Sequence, residues 1–231
     1  MDADSLLLLA AERDDLTGAG QILSAGGNIN CRDYKENTPL HIAAARSNWR
    51  MCRFLLDFSH CYKNPRNDTE DTPLSLSVLN KHPETVMTLL EYKCDVNTKN
   101  IDGVSPLHIA CQVRDEQSVR MLLSHGADPS TVDNDGNSPL HMVCTDPISV
   151  ELAEMLLIAH ASVNASNIEG FTPLELAVQE SGHNVKILVD LLLSKGAIVT
   201  EDAISNATDH NIKSMLIEIA CLEAGKHSEL V

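Results

Sequence analysis

A tetrapeptide that recurs at one period is the feature that most restricts the fold of this 231-residue chain. Thr-Pro-Leu-His or a close variant occurs five times, with prolines 34, 33, 33 and 34 residues apart at Pro39, Pro73, Pro106, Pro139 and Pro173. A pair of leucines follows each copy, ending at Leu56, Leu90, Leu123, Leu157 and Leu193. A period of this length indicates stacked supersecondary units, because one such unit cannot bury its apolar face alone.

Each copy carries the signals of two helices joined by a turn. Ser or Thr before Pro is typical of a helix start, since the hydroxyl caps free N–H groups and Pro is tolerated at the first helical position. In the fourth repeat the first helix is predicted over 106–112, and Val119, Leu122 and Leu123 have the spacing of a second helix. The residues 133–136, rich in Asp, Asn and Gly, predict a turn into the next copy.

This pattern resembles the ankyrin repeat family, whose motif combines Asp-x-x-Gly-x-Thr-Pro-Leu-His with a later Leu-Leu pair and Gly-Ala-Asp-Val-Asn; residues 105–130 match it nearly throughout. The resemblance implies an all-α solenoid of about seven stacked repeats, each a helix-turn-helix with a hairpin or loop. The terminal repeats are expected to act as caps with polar outer faces. We expect one domain over 1–231, divided at about 1–34, 35–68, 69–101, 102–134, 135–168, 169–200 and 201–231.

Three repeats depart from this pattern. The second has residues 58–61 where Gly-Ala is expected and Asn64-Pro65 within its turn, which predicts an irregular hairpin. The sixth carries about three extra residues within 181–189, and the fifth has Pro147 near the turn between its helices. Trp49 begins the predicted second helix of the second repeat, where it could be an exposed anchor or a packed outer residue, and we expect it to be packed. These positions predict local irregularity within an otherwise regular stack.

The charge balance excludes several classes of partner. Lys and Arg number 17 against 33 Asp and Glu, for a net charge of −16. Nucleic acid is therefore not expected to bind directly, because phosphate binding depends on cations. No apolar stretch is long enough to predict membrane insertion. Seven cysteines without a Cys-x-x-Cys motif are typical of a reducing compartment, which predicts an intracellular chain that is cytoplasmic, nuclear or both.

Two His-x-x-Cys pairs, at His108 and Cys111 and at His141 and Cys144, raise the question of a metal site. The resemblance implies instead that the motif histidine hydrogen-bonds between repeats and that the cysteine packs where alanine is usual. The pairs also lie one repeat apart, about 10 Å, which is too far for shared zinc ligation. With no nucleophile or phosphate-binding motif either, we expect no metal, no cofactor and no enzymatic activity.

The resemblance implies a protein-interaction module, acting as an adaptor, scaffold or inhibitory or regulatory subunit. Its concave groove would be formed by the turn tips and first helices, and the chain is expected to be a monomer in isolation. Apolar residues among carboxylates predict a partly basic partner segment with aliphatic anchors. The candidate groove residues flank the motif in each repeat: Tyr34, Lys35, Arg46, Asp68, Asp71, Leu79, Ile101, Asp102, Val104, Gln112, Val113, Asn134, Asp135, Asn137, Asp146, Ile168, Glu169, Phe171 and Glu180.

Three alternatives stay open from the sequence. Ile101, Val104 and Phe171 could simply pack on adjacent turns. The chain could also be a structural spacer or regulatory arm of a larger protein, with its contacts on the outer face. Finally, Asn97 and Asn164 close an Asp-Val-Asn-like phrase eight residues after a leucine, a spacing at which family members can be hydroxylated. The competing interpretation is that these asparagines make turn hydrogen bonds.

Overall fold

The computed structural model describes residues 2–228 and groups the chain into two compact units, Met1–Asp128 and Pro129–Val231. They are called the first and second unit below, and each is described by itself. The expectation of a single domain stays a prediction. None of the helices within residues 2–228 is both long and apolar enough to cross a membrane.

The first unit contains four helix pairs. Within this unit the first helix of each pair contacts the first helix of the next pair, and the second helices contact one another in the same way. Their leucines form the core: Leu40, Leu55, Leu74 and Leu89 are fully buried. The helices are α1 Ala3–Arg13, α2 Leu16–Ser24, α3 Pro39–Ala45, α4 Trp49–Leu56, α5 Pro73–Leu79, α6 Pro83–Glu91, α7 Pro106–Gln112 and α8 Glu116–Ser124.

The second unit contains three further pairs within the described residues. The first helix of the fifth repeat has only five residues and is followed by a cis peptide bond between Asp146 and Pro147. The second helix of the sixth repeat has twelve residues. The extra residues of the sixth repeat therefore lengthen its second helix. The helices are α9 Pro139–Val143, α10 Val150–Ile158, α11 Pro173–Gln179, α12 His183–Ser194, α13 Glu201–Asn206 and α14 His210–Ser228.

The tetrapeptide starts five of these helices as its sequence predicts. Proline occupies the first position of α3, α5, α7, α9 and α11. Four of the five also have a capping box, in which the preceding Ser or Thr and the fourth residue of the motif each accept a hydrogen bond from the other's backbone. In α11 that fourth residue is Glu175, so a carboxylate oxygen accepts the hydrogen bond that a histidine Nδ1 accepts in α3, α7 and α9.

The two ends of the chain lack the tetrapeptide but still form helix pairs, α1 with α2 and α13 with α14. The expectation that their outer faces are polar is only partly met. Leu6 is 40 % exposed on α1, and Leu222 is 66 % exposed on α14. Individual exposed apolar side chains are common on protein surfaces.

Candidate protein-binding site

The turns before α3, α5, α7, α9 and α11 are each fixed by an Asp or Asn side chain at an equivalent position. In the first unit, Asn67 Oδ1 accepts from the backbone N–H groups of Thr69 and Asp71 at 3.1 and 2.8 Å. In the second unit, Asn167 Oδ1 accepts from Glu169 and Phe171 at 3.1 and 2.9 Å. The family motif quoted above begins at this position, and the turn predicted over 133–136 includes one example, but the hydrogen-bonding role of these side chains was not predicted. The residues are Asp33, Asn67, Asn100, Asp133 and Asn167.

Backbone hydrogen bonds join each turn tip to the next within a unit. The N–H of Asp68 donates to the Lys35 carbonyl at 3.1 Å, and the N–H of Ile101 donates to the Thr69 carbonyl at 3.1 Å. In the second unit the N–H of Ile168 donates to the Asp135 carbonyl at 3.0 Å. These bonds join the turn tips of a unit into one ordered surface. We call this surface, together with the last turns of the first helices beside it, the turn-tip face; it comprises the candidate groove residues named in the sequence analysis.

Apolar and acidic side chains alternate on the turn-tip face of the first unit. Tyr34 is 89 % exposed and Ile101 is 59 % exposed, whereas Val104 is half-buried. The exposure of Ile101 contradicts the alternative that this residue only packs on adjacent turns, whereas the half-burial of Val104 leaves that alternative open for Val104. Asp68 and Asp102 are exposed, and their carboxylates make no hydrogen bond or ion pair to the described residues. They are available to a basic partner.

Two other candidates in the first unit are already engaged by the chain itself. Arg46 pairs with Glu12 of α1 at 2.6 Å. The Asp71 carboxylate accepts hydrogen bonds from Thr69 Oγ1 at 2.8 Å and from the Asn100 amide at 3.1 Å. The bonds to Glu12 and Asn100 join neighbouring repeats, so both side chains help to hold the face in place, although the Arg46 side chain is still 60 % exposed. Lys35, Leu79 and Gln112 are exposed, and Val113 is half-buried.

The turn-tip face of the second unit is more strongly acidic. Ile168 is 71 % exposed beside Asp135 and Glu169, and these three residues line a small cavity of about 210 Å³ together with Asn137 and Asn167. Asn134 and Asp146 are also exposed, whereas Phe171 and Glu180 are half-buried. The Glu180 carbonyl accepts from Thr208 Oγ1 at 2.8 Å, which holds that residue against the following repeat.

The motif histidines link repeats, as the resemblance implied. The Thr38 N–H donates to His41 Nδ1 at 3.0 Å, so the proton is on Nε2, which lies 3.0 Å from the Asp71 carbonyl. His141 Nε2 makes the same contact with the Phe171 carbonyl at 3.0 Å. Burial lowers the pKa of His41 to about 4, so the ring is neutral at physiological pH. Among the side chains that the structure describes, which leave out those of 183 and 223–228, no three from His, Cys, Asp or Glu cluster as metal ligands would.

Asn97 and Asn164 also join neighbouring turns. The amide of Asn97 donates to the Gly126 carbonyl at 3.2 Å and accepts from the Asp128 N–H at 2.9 Å. Asn164 makes the corresponding bonds to Gly196 and Ile198, both at 2.9 Å. The interpretation as turn hydrogen bonds is confirmed. Hydroxylation at these two residues stays a prediction, for which the intact mass of protein isolated from cells is the test.

The family model described as ankyrin repeats (3 copies) matches residues 7–100, 59–133, 80–167 and 107–203. The chain belongs to the ankyrin repeat family. The solved ankyrin repeat domain of Bcl-3, described as a member of the IkappaB protein family, covers 94 % of this chain and 99 % of its own with a TM-score of 0.83 at 23 % identity. The predicted fold class, all-α and built from stacked ankyrin repeats, is confirmed.

Two groups of curated relatives share parts of this sequence. Inversin from Canis lupus familiaris and from Homo sapiens is 30 % identical over 196 residues, which is 81 % of this chain. The 26S proteasome non-ATPase regulatory subunit 10 from Dictyostelium discoideum is 35 % identical over 74 residues. The chain spans only 18 % of the length of inversin and 32 % of the proteasome subunit. Ankyrin repeat domains generally mediate protein–protein interactions and are not catalytic.

Proposed function

We propose that this chain is a non-enzymatic interaction module whose turn-tip faces bind a partly basic protein segment with aliphatic anchors. Such a module would serve as an adaptor, scaffold or inhibitory or regulatory subunit. The observation that carries the proposal is the exposure of Ile101 and Ile168 beside unpaired carboxylates. A single exposed isoleucine is common on protein surfaces, but Ile101 and Ile168 occupy equivalent turn tips, each five residues before a motif proline, and each stands beside acids. Covering them with a partner would remove apolar area from water.

The charge pattern specifies the chemistry of the partner. Asp68 and Asp102 flank Ile101, and Asp135 and Glu169 flank Ile168. None of these four acids has an ion-pair partner among the residues that the structure describes. A segment with Lys or Arg around a Leu, Ile or Val would satisfy both features. The net charge of −16 would add long-range attraction and so accelerate association.

Affinity capture from lysate at two salt concentrations, followed by variants, tests this proposal. Partners captured by the wild-type chain should be lost with Ile101→Asp and reduced with Asp102→Lys or Asp135→Lys. The charge variants should act chiefly by slowing association, and higher salt should do the same. Asp190→Lys is a matched control, because Asp190 is an exposed acid on the second helix α12 and lies outside the turn-tip face. Capture that is unaffected by all three turn-tip variants would exclude the turn-tip face.

A second candidate function is a spacer or regulatory arm of a larger protein, with its contacts on the outer helices. The exposure of Trp49 and Met87 on second helices of the first unit favours it. Hydrogen exchange with a captured partner present separates the two candidates. Protection at turn tips such as 100–104 supports the module, and protection confined to second helices such as α6 supports the arm.

A further inference from the structure

A groove lies on the second helices of the first unit, away from the turn-tip face. It encloses about 360 Å³, within the usual range for a binding site. Trp49 and Met87 form an apolar wall that is 37 % and 38 % exposed, and Thr88 and Met121 form a buried floor. The expectation that Trp49 is packed is therefore wrong. The remaining lining residues are Pro83, Glu84, Glu91 and Gln117.

The charged side chains that line this groove are both carboxylates. Glu84 and Glu91 are exposed, and neither has an ion-pair partner among the described residues. They lie seven residues apart on α6, which is two helical turns or about 10.5 Å along one face. The arginines of the neighbouring helices do not line the groove, and Arg50 instead stacks on the Trp49 ring with its guanidinium 5.2 Å from the ring centroid.

The shape and charge of the groove favour one kind of occupant. The groove runs along α6 and α8, which pack side by side. A third helix can lie in the groove between two helices that are packed in this way. Methionine side chains adapt to different apolar partners. A second copy of this chain is disfavoured because each copy carries a net charge of −16, and anionic lipid or nucleic acid is disfavoured for the same reason.

We propose that this groove binds an amphipathic helix of another protein, with an apolar stripe over Met87 and Lys or Arg residues two turns apart over Glu84 and Glu91. This inference does not depend on the proposed function of the turn-tip faces, because the two surfaces share no lining residue. It identifies a second binding surface on the first unit.

A library of displayed helical peptides tests the proposal on the full chain. Each peptide has a constant leucine stripe without tryptophan, and the flanking positions vary among Lys, Glu and Gln. We expect selection to enrich Lys at positions two turns apart. Trp49 is the only tryptophan of the chain, so its emission should move to shorter wavelength as selected peptides bind. The double variant E84K/E91K should bind these peptides about tenfold more weakly or worse.

Two controls make the result specific. The double variant E151K/E154K changes two exposed acids on the second helix α10 of the other unit and should bind like the wild type. Circular dichroism confirms that each variant is folded before binding is measured. The proposal is overturned if no peptide is enriched, if enriched peptides show no excess of Lys, or if E84K/E91K binds them as tightly as the wild type.

Discussion

His41 shows at the scale of one residue how the repeats are joined. Its Nδ1 accepts a hydrogen bond from the Thr38 N–H within its own repeat, and its Nε2 donates to the Asp71 carbonyl of the next. Burial lowers its pKa from the usual 6.5 to about 4. The unfolded chain therefore binds a proton at a pH where the folded chain does not. The free energy of unfolding should fall as the pH decreases from about 6.5 to 4, by up to about 1.4 kcal/mol per pH unit for this ring.

Urea unfolding at several pH values between 7.5 and 4.5 measures this dependence. The variant His41→Gln should be less stable at pH 7.5 by about 1–3 kcal/mol, because a buried polar contact is lost. Its stability should also depend less steeply on pH than that of the wild type. An equal slope for His41→Gln and the wild type would show that His41 is not the group responsible.

At the scale of one element, the turn at Gly136 combines a positive φ with close contact to the next turn. Its φ is +76°, and a Cβ added there would lie 2.9 Å from the Ile168 N, the atom that donates to the Asp135 carbonyl. Gly170 has a similar φ of +89° but open space around the position. Gly170→Ala should therefore cost only the backbone strain, about 1 kcal/mol.

Gly136→Ala should cost more than Gly170→Ala, by about 1–3 kcal/mol, because the backbone of the next turn must also move. Thermal or urea unfolding of the two variants gives this difference directly. If they are equally destabilised, the contact between the two turn tips is looser than the structure indicates. The same shift would weaken the turn-tip face of the second unit, so partner binding there should fall with Gly136→Ala and not with Gly170→Ala.

The sequence predicts elements better than it predicts surfaces, and the turns show why. Proline and its capping residue act within four positions, so the starts of α3, α5, α7, α9 and α11 follow from the tetrapeptide alone. The exposure of a side chain depends instead on the neighbouring repeat. Asp71 is held by Asn100, 29 residues later, and Trp49 borders a groove shared with α6 and α8. Neither contact has a signal within its own repeat.

At the scale of the whole molecule, six of the seven cysteines are buried in the repeats and Cys221 is exposed. Burial raises the pKa of Cys94 and of Cys111 to about 12, so neither forms the reactive thiolate at neutral pH. A colorimetric disulfide reagent should therefore modify one thiol per native chain quickly and the other six only as the repeats open. All seven should react in denaturant.

The variant Cys221→Ser distinguishes fast reaction at Cys221 alone from slower reaction spread over several cysteines. It should show no fast phase, while the six slow thiols react as in the wild type. Peptide mass spectrometry after brief labelling should find the wild-type label on Cys221 alone. Fast labelling of Cys31, Cys61 or Cys94 would mean that repeats of the first unit open readily, because reagent reaches those thiols only when the stacked helices separate. The labelling rate of each buried cysteine thus measures how readily its own repeat opens, a quantity that no interatomic distance in the structure gives.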